Sequence, residues 1–315
     1  MVRQARLHAL ALSVALACLP ALATQRAFVS STGNDANAPS GCTLALPCRS
    51  FQAAHGAVDA GGEIVALDTA GFGAVTISKS VAIIGNPGTI PSIAVASGAG
   101  VTIATAGVNV ILRNLNLNGT GGSAGIDMSD GNSLSIENCV VSNFTNNGVF
   151  VFATTPLRVR ITESIMRGNG NGAYLAGLVN ADIVGSQFMG NAAAGLYVES
   201  GVEGSGEASV AVNDSVASGN AIGFFLWGYS LVTPRMSLIR STASNNSGHG
   251  FLNRAESASG NSVMIVGSSM ASGNGTGFGN LALDGGNAFF ESLGSNIVRQ
   301  NAVASAGTIT PVSGL

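Results

Sequence analysis

The sequence predicts an all-β fold, a parallel β-helix of roughly ten coils, because three landmarks recur with one rough period. From about residue 120 onward, each unit contains a glycine, two short apolar-x-apolar runs and a turn closed by asparagine. Equivalent positions recur every 22–29 residues, and self-similarity at a fixed period is the signature of a repeat fold. The glycines are Gly125, Gly148, Gly172, Gly195, Gly223, Gly250 and Gly277; the asparagines are Asn169, Asn191, Asn220, Asn246, Asn274 and Asn301; the second runs are marked by Ile136, Ile161, Ile183, Val212, Leu238 and Ile265.

The composition of each unit selects among the repeat folds. Runs such as GLYV (195–198) and VRIT (159–162) are rich in the residue types of short strands, and nothing amphipathic at helical spacing fits between them. Propeller blades need longer units, of about 40 residues. The unit therefore fits one coil in which each strand pairs with its equivalent about 4.8 Å away. We expect the turn asparagines to adopt the left-handed conformation and to bond to one another along the stack.

The chain begins with a segment typical of a secretory signal. Arg3 and Arg6 precede an apolar run at 9–19, and Ala21-Leu22-Ala23 resembles a cleavage site. We expect residues 1–23 to be a signal peptide; the alternative is a lipoprotein anchored through Cys18, although the residues before it form a poor lipidation box. No later segment is long and apolar enough for a membrane helix. The sequence thus predicts an exported protein, periplasmic or extracellular.

The charge pattern argues against a nucleic-acid partner. Only 9% of the residues are charged, and residues 24–315 contain eleven basic and sixteen acidic side chains, a net charge of −5. A nucleic-acid surface needs a dense positive stripe, and the only basic concentration is Arg158, Arg160 and Arg167. Small neutral side chains must cover most of the surface, which is typical of stacked β architectures.

The cysteines suggest one disulfide. Cys42 and Cys48 lie in one loop, and an exported protein meets an oxidising compartment, so we expect them to pair. Cys139 falls within a repeat, and its favoured interpretation is a buried small apolar residue. No spacing among cysteines and histidines indicates a zinc site, and the sequence predicts no metal and no cofactor.

The segment at 24–61 carries the most specific resemblance. It contains a strand, a Gly-x-Asp-x-Asn loop at Gly33, and the run Pro47-x-x-Ser50-Phe51-Gln52-Ala53-Ala54. In these features the chain resembles exported right-handed parallel β-helix proteins of the pectate-lyase-like superfamily. The resemblance implies a right-handed helix over 62–315, capped by a short α-helix that Ser50 would begin and that would end near residue 60. Asp35 could bind a cation there, but an Asx-type turn is the favoured interpretation. The superfamily includes lyases, hydrolases, adhesins and non-enzymatic proteins, so the fold does not fix the function.

The Gly248-His249-Gly250 motif matches a motif of polygalacturonase-like hydrolases, but its place in the repeat argues against catalysis. His249 directly precedes a recurrent glycine, where other coils have Asn147, Asn171 or Thr276. A glycosidase site needs paired carboxylates, and the sequence contains no Asp-Asp pair. We therefore reject His249 as a catalytic residue and expect a solvated corner residue.

The weak catalytic candidates are Glu137, Arg160 and Asp182, which flank the apolar marker of the second strand on three successive coils. A lyase site would combine a basic residue with carboxylates that hold Ca²⁺. Two carboxylates separated by two coils would lie about 9–10 Å apart, too far to share one ion. A surface ion-pair ladder is the favoured interpretation, and a Ca²⁺ site stays unsupported. Glu199, Glu203 and Glu207 are expected to be solvated loop residues.

The strongest candidate binding site is aromatic. The second residue after each glycine should point outward, and five consecutive coils have large apolar residues there, ending with Leu252. Stacked rings on an outer face suit sugar binding, but loops such as 199–209 and 228–235 could cover them, or the face could bind a protein. The candidate residues are Phe150, Tyr174, Tyr197, Phe225, Trp227 and Tyr229, with Phe152 beside them.

Three functions remain open from the sequence. The first is a non-catalytic protein that binds polysaccharide or envelope material through the aromatic residues. The second is a polysaccharide lyase or glycoside hydrolase of the pectate-lyase-like superfamily. The third is a structural or adhesive surface protein. An enzyme of this fold needs a compact acidic cluster, and the sequence pattern contains none, so the first and third are favoured.

Overall fold

The protein is described by a computed structural model that covers residues 25–199 and 207–313. The chain forms a right-handed parallel β-helix of about nine turns, against the roughly ten predicted. The signal peptide predicted at 1–23 lies outside the described residues. Among the described residues, no helix has the length and apolar character needed to span a bilayer.

Each turn contributes strands to three parallel stacks, which we call the first, second and third sheets. The first sheet contains β3 (Val75–Ile77), β6 (Ala99–Ala104), β9 (Ala124–Asp130), β16 (Ala194–Glu199), β19 (Ile222–Gly228), β22 (His249–Glu256), β25 (Thr276–Leu283) and β28 (Val303–Ala306). The second contains β1 (Arg26–Val29), β2 (Gly62–Ala66), β4 (Val81–Gly85), β7 (Asn109–Arg113), β10 (Ser133–Glu137), β17 (Ser209–Asn213), β20 (Arg235–Ile239), β23 (Asn261–Gly267), β26 (Asn287–Ser292) and β29 (Ile309–Pro311).

Two long strands join the first two sheets, and short strands make the third. Because β12 (Asn147–Thr162) and β14 (Asn171–Val184) run through both sheets, the hydrogen bonds connect them into one 20-stranded sheet. The third sheet has nine strands, which are β5 (Ser92–Val95), β8 (Asn116–Gly119), β11 (Val140–Ser142), β13 (Ile165–Arg167), β15 (Gln187–Met189), β18 (Val216–Ser218), β21 (Thr242–Ser244), β24 (Met270–Ser272) and β27 (Ile297–Arg299).

Side-chain alternation places one residue in two inside the helix. In the second sheet, the inward positions of successive turns pair from Ile136 to Leu238 in the predicted order. The last predicted member is wrong, because Leu238 pairs with Val266 and Ile265 faces outward, half-buried. The pattern Val-x-Ile-Val offers two apolar residues in a row, and alternation alone does not choose between them.

The turn asparagines form a hydrogen-bonded ladder, as predicted. From Asn169 to Asn274 each side-chain amide donates to the Oδ1 of the next asparagine, at 2.8–3.3 Å. The expectation of a left-handed conformation at these asparagines is wrong. The left-handed residue is the one before each, for example Gly219 at φ 68° and Asn245 at φ 54°. Asparagine is therefore required here for its amide and carbonyl, which link adjacent turns.

The recurrent glycines are required by close packing between turns. A Cβ on Gly223 would lie 2.5 Å from the carbonyl oxygen of Gly250 and 2.9 Å from the Asn246 amide nitrogen. The same relation joins Gly172 to the oxygen of Gly195, at 2.4 Å. The backbone of each turn thus occupies the space that a side chain would need on the turn before.

A second ladder stacks serines at the corner between the second and third sheets. The backbone N–H of Ser164 donates to the Oγ of Ser186, and that of Ser186 donates to Ser215, at 3.2–3.3 Å. Cys139 takes the serine position on the turn before, where it is 1% exposed. The prediction that Cys139 is buried is confirmed, and burial raises the pKa of its thiol to about 11.

The N-terminal end of the β-helix is closed by a 3₁₀ helix (Asp35–Ser40), a disulfide and α1 (Phe51–Ala57). The predicted Cys42–Cys48 disulfide is confirmed. Ser50 caps α1 as predicted, since its side chain accepts from the N–H of Ala53 at 3.2 Å. The helix ends at Ala57 rather than near residue 60, because Val58 is extended and buried in the core.

One polar side chain holds the cap together and another connects it to the coils. The Asx turn belongs to Asn34, whereas the carboxylate of Asp35 accepts from Arg49 N at 2.7 Å and from Ser50 N at 2.8 Å. His55 in α1 is 2% exposed, and its Nε2 accepts from the backbone N–H of Ser78 at 3.1 Å. Burial, with the nearby charge of Lys79, lowers the pKa of His55 to about 4.

Candidate functional site

The outward side of the first sheet carries a continuous set of aromatic side chains. We call these residues the aromatic face: Phe150, Phe152, Tyr174, Tyr197, Phe225, Trp227 and Tyr229. Four of them lie in register on adjacent strands, in the order Phe150, Tyr174, Tyr197, Phe225. Their inward neighbours along the strands are buried core residues, so strand alternation directs the rings outward.

The rings of the aromatic face contact one another along the helix axis. Tyr174 and Tyr197 stack with centroids 4.5 Å apart, and Tyr197 and Phe225 stack at 4.8 Å. Phe150 meets Tyr174 edge-on at 5.2 Å, and Trp227 contacts Tyr229 at 4.9 Å. The spacing is that of the strands themselves, so regular strand pairing sets the stack.

The acid at the end of β16 organises two of these rings. The prediction that Glu199 is a solvated loop residue is wrong: its side chain is 7% exposed and accepts from the hydroxyls of both Tyr174 and Tyr197. Burial and the bond to Glu199 raise the pKa of both tyrosines, which keeps the hydroxyls protonated as donors. Glu199 follows Tyr197 by two residues, so extending the strand alternation by one step would have placed it on the same side. Glu203 lies outside the described residues, and Glu207 is exposed and paired with Arg235 at 2.9 Å.

Trp227 lies beside this acid and under an arginine. In the register of the first sheet, Glu199 pairs with Trp227, and Trp227 pairs with Arg254. The guanidinium carbon of Arg254 lies 5.5 Å from the Trp227 ring centroid, and its Nη2 donates to Glu256 at 2.7 Å. Phe152 and Trp227 occupy the same position on strands three turns apart, and Ala176 and Glu199 hold that position on the two turns between them. Sequence reasoning did not identify Arg254, whose signal is its position one turn after Trp227.

All seven rings are half-buried, so the face is neither fully exposed nor fully covered. Of the predicted covering loops, residues 200–206 lie outside the described residues. In the other loop, Ser230 and Pro234 are buried while Leu231 is 70% exposed. The expectation that Leu252 continues the outward row of rings is wrong in one respect: Leu252 pairs with Phe225 as expected, but it is only 4% exposed. The exposed part of the aromatic face therefore ends at Phe225.

His249 closes that end of the aromatic face. It pairs with Thr276 in the register, as predicted, but it is half-buried rather than solvated. Its ring packs over Gly279, where an added Cβ would lie 2.5 Å from the His249 Cδ2 atom. Burial lowers the pKa of His249.

The weak catalytic candidates lie on the second sheet, but they do not all occupy the same position in the strand register. Arg160 and Asp182 are neighbours on adjacent strands, whereas the neighbour of Glu137 is Thr162, two residues after Arg160. The reason is that Glu137 follows the inward isoleucine of its strand, whereas Arg160 and Asp182 each precede theirs. Glu137 instead forms an ion pair of 2.6 Å with Arg113 on the turn before. An open groove of about 850 Å³ passes over Arg113, Glu137 and Arg160.

The electrostatics of this groove favour a structural ion pair. Burial acts to raise the pKa of Glu137, but hydrogen bonds from Arg113 and Ser135 and the nearby Arg160 lower it overall. Arg160 donates to its neighbour Thr162 at 3.3 Å. Within residues 25–199 and 207–313, no group of three His, Cys, Asp or Glu side chains could hold a metal ion.

The fold defines the class of protein, a right-handed parallel β-helix. No known family description and no curated protein sequence matches the chain. Among solved structures, a rhamnogalacturonan lyase is similar, with a TM-score of 0.68, 13% identity, and coverage of 90% of this chain and 84% of that one. Pectate lyase Pel9A is similar with a TM-score of 0.57, 14% identity, and coverage of 91% and 77%. Likeness at this identity establishes the fold alone.

Proposed function

We propose that the protein is an exported, non-catalytic polysaccharide-binding protein that uses the aromatic face as its binding site. The observation that carries this is the stack of Tyr174, Tyr197 and Phe225 at 4.5–4.8 Å, continued on the next strand position by Trp227. Stacking covers the faces that these rings turn to one another, so their outer edges form a continuous apolar strip along one axis against which sugar rings can pack. The signal-like segment at 1–23 and the disulfide support export to the periplasm or beyond.

The similarity to two lyases supports a polysaccharide as the class of ligand and keeps a lyase as the second candidate. That activity would belong to the second-sheet groove, where Arg160 could take a proton. Glu137, which lines the same groove, is already paired with Arg113, which weakens this candidate. A structural or adhesive role is the third candidate and predicts no glycan affinity.

The test is glycan binding by the full chain, measured by affinity electrophoresis and calorimetry on polysaccharides chosen from an array. Trp227→Ala and Tyr197→Ala should each weaken binding by about 5- to 150-fold, from the loss of about 1–3 kcal/mol of ring contact. The matched control is Phe289→Ala, because Phe289 is a 54% exposed aromatic on the second sheet. Equal affinity of all four proteins would contradict the proposed site, provided circular dichroism shows that each is folded.

A degradation assay with polyuronates, with and without Ca²⁺, separates the enzyme from the binding protein. The proposal predicts no unsaturated product. Product that disappears in Arg160→Ala would replace the proposal with the lyase.

A further inference from the structure

The charges on the aromatic face are mostly negative. Along the first-sheet strands from β9 to β25, the acidic side chains are Asp127, Asp130, Glu199 and Glu256, and the one basic residue besides His249 is Arg254. Arg254 is paired with Glu256, so its charge is already compensated. Glu199 lies in the middle of the stack and Asp127 directly precedes Phe150 in the register. The described part of this face therefore repels an acidic ligand.

The hydrogen-bond donors of the face are either committed or buried. The hydroxyls of Tyr174 and Tyr197 donate to Glu199, and Arg254 Nη2 donates to Glu256. The indole N–H of Trp227 and the Nε of Arg254 are buried, with no acceptor among the described residues. A carboxylate offers about four acceptor positions, and the two tyrosines fill two of those on Glu199. The surface thus offers acceptors to a ligand that supplies donors.

The acid, rather than the ring faces, favours a cationic ligand group. Stacking covers the faces of Tyr174 and Tyr197, and Arg254 already lies over Trp227 at 5.5 Å. A carboxylate with most of its surface removed from water attracts a cation more strongly than an exposed one. Glu199 borders Trp227 in the register of the strands.

We infer that the aromatic face is selective for a glycan with free amino groups, such as a deacetylated amino-sugar polymer, over neutral glycans and especially over polyuronates. The inference rests on the proposed function. The sugar rings pack against the outer edges of Tyr197, Phe225 and Trp227, and a protonated amine is attracted by Glu199. The preferred charge of the ligand is opposite to that of the pectate named for one structural neighbour.

The test compares three matched oligosaccharides by calorimetry at low salt: deacetylated chito-oligosaccharide, its N-acetylated counterpart and oligogalacturonate. The deacetylated form should bind roughly tenfold tighter than the acetylated form, the ratio expected for one partly buried charge pair. Oligogalacturonate should bind weakest. Glu199→Gln keeps the side-chain shape and should reduce the preference to about threefold or less. Glu137→Gln, on the second sheet, should leave the preference unchanged.

The outcomes separate the two proposals. Equal affinity for the deacetylated and acetylated forms, or an unchanged preference in Glu199→Gln, overturns the inference and leaves glycan binding in place. Absence of binding to every oligosaccharide overturns the proposed function as well. If Glu199→Gln does not fold, the pH dependence of binding to the wild-type protein decides. The preference should disappear at a pH that deprotonates the sugar amine, and a preference that persists there overturns the inference.

Discussion

Replacing one ladder asparagine with alanine should destabilise the whole centre of the β-helix. Asn220 is 2% exposed and makes four side-chain hydrogen bonds. Its Oδ1 accepts from the backbone N–H and the side-chain amide of Asn191, both at 2.9 Å. Its amide nitrogen donates to Phe188 O at 3.0 Å and to Asn246 Oδ1 at 3.1 Å. Asn220→Ala removes all four at once and opens a small space between three turns.

The magnitude follows from the groups left without partners. The buried N–H of Asn191 loses its acceptor, and an unsatisfied buried donor costs about 1–3 kcal/mol. The loss of the remaining bonds contributes about 1 kcal/mol each. We therefore expect Asn220→Ala to lower the free energy of unfolding by about 4–6 kcal/mol.

The assay is guanidinium unfolding followed both by far-UV circular dichroism and by the fluorescence of Trp227, the single tryptophan, which lies in the same turn. The control is Asn287→Ala, since Asn287 is exposed and makes one side-chain bond of 3.2 Å to Asn261. It should cost less than about 1 kcal/mol. If the two variants unfold at the same guanidinium concentration, the ladder does not stabilise the fold as argued here. Separate transitions by the two probes would show instead that the turns unfold in parts.

Three further predictions concern single positions. Gly223→Ala should lower the free energy of unfolding by at least about 3 kcal/mol, because the new Cβ would lie 2.5 Å from Gly250 O. Gly56→Ala, whose new Cβ would meet nothing within 4 Å, should raise it by about 0.5–1 kcal/mol. Thermal unfolding measures both variants, and a Gly223→Ala protein as stable as the wild type would contradict the prediction. The pKa of His55 is lowered to about 4 in the folded protein, from about 6.5 in the unfolded chain. The neutral ring therefore stabilises the fold above pH 6.5, and this contribution is lost as the pH falls from 6.5 toward 4. A profile of unfolding free energy against pH that His55→Leu leaves unchanged would refute this. Cys139 should not react with a thiol reagent until the protein is unfolded, because burial raises its pKa to about 11; a reaction before unfolding would mean that the thiol is accessible.

The sequence was sufficient for the features that repeat. Glycine, asparagine and apolar markers each recur because every turn faces the same contacts, so one period predicts the strands, the ladder and the inward positions. Reasoning failed where a turn departs from the average. Ile265 and Val266 are both apolar, and only the pairing with Leu238 decides which enters the core. Glu137 follows Ile136 whereas Arg160 precedes Ile161, and aligning the repeats only by these isoleucines overlooks that difference.

The candidate site was predictable in part for the same reason. Alternation alone put Tyr174 and Tyr197 on the outer side, and the structure places them 4.5 Å apart. The role of Glu199 was missed because glycine and serine after it suggested that the strand had already ended. The burial of Leu252 was missed because its exposure depends on the next turn. There Gly279 leaves room for the side chains of both His249 and Leu252, which the period does not predict.

The repeat also explains why the aromatic face carries functional information. Inward positions must fill the core, so their apolar character is required by the fold. The outward position that Phe150 and Tyr174 share is free of that requirement. Other turns have Asp127 and Gly279 at this position, and the aromatic residues occur only on turns between those two. Four rings in register span three strand spacings, about 14 Å along the axis. Under the proposed function we expect them to direct a bound chain parallel to that axis. Glu199 follows Tyr197 by two residues and pairs with Trp227 in the register, so we expect its charge to set which sugar unit lies beside which ring as well as the preferred charge of the ligand.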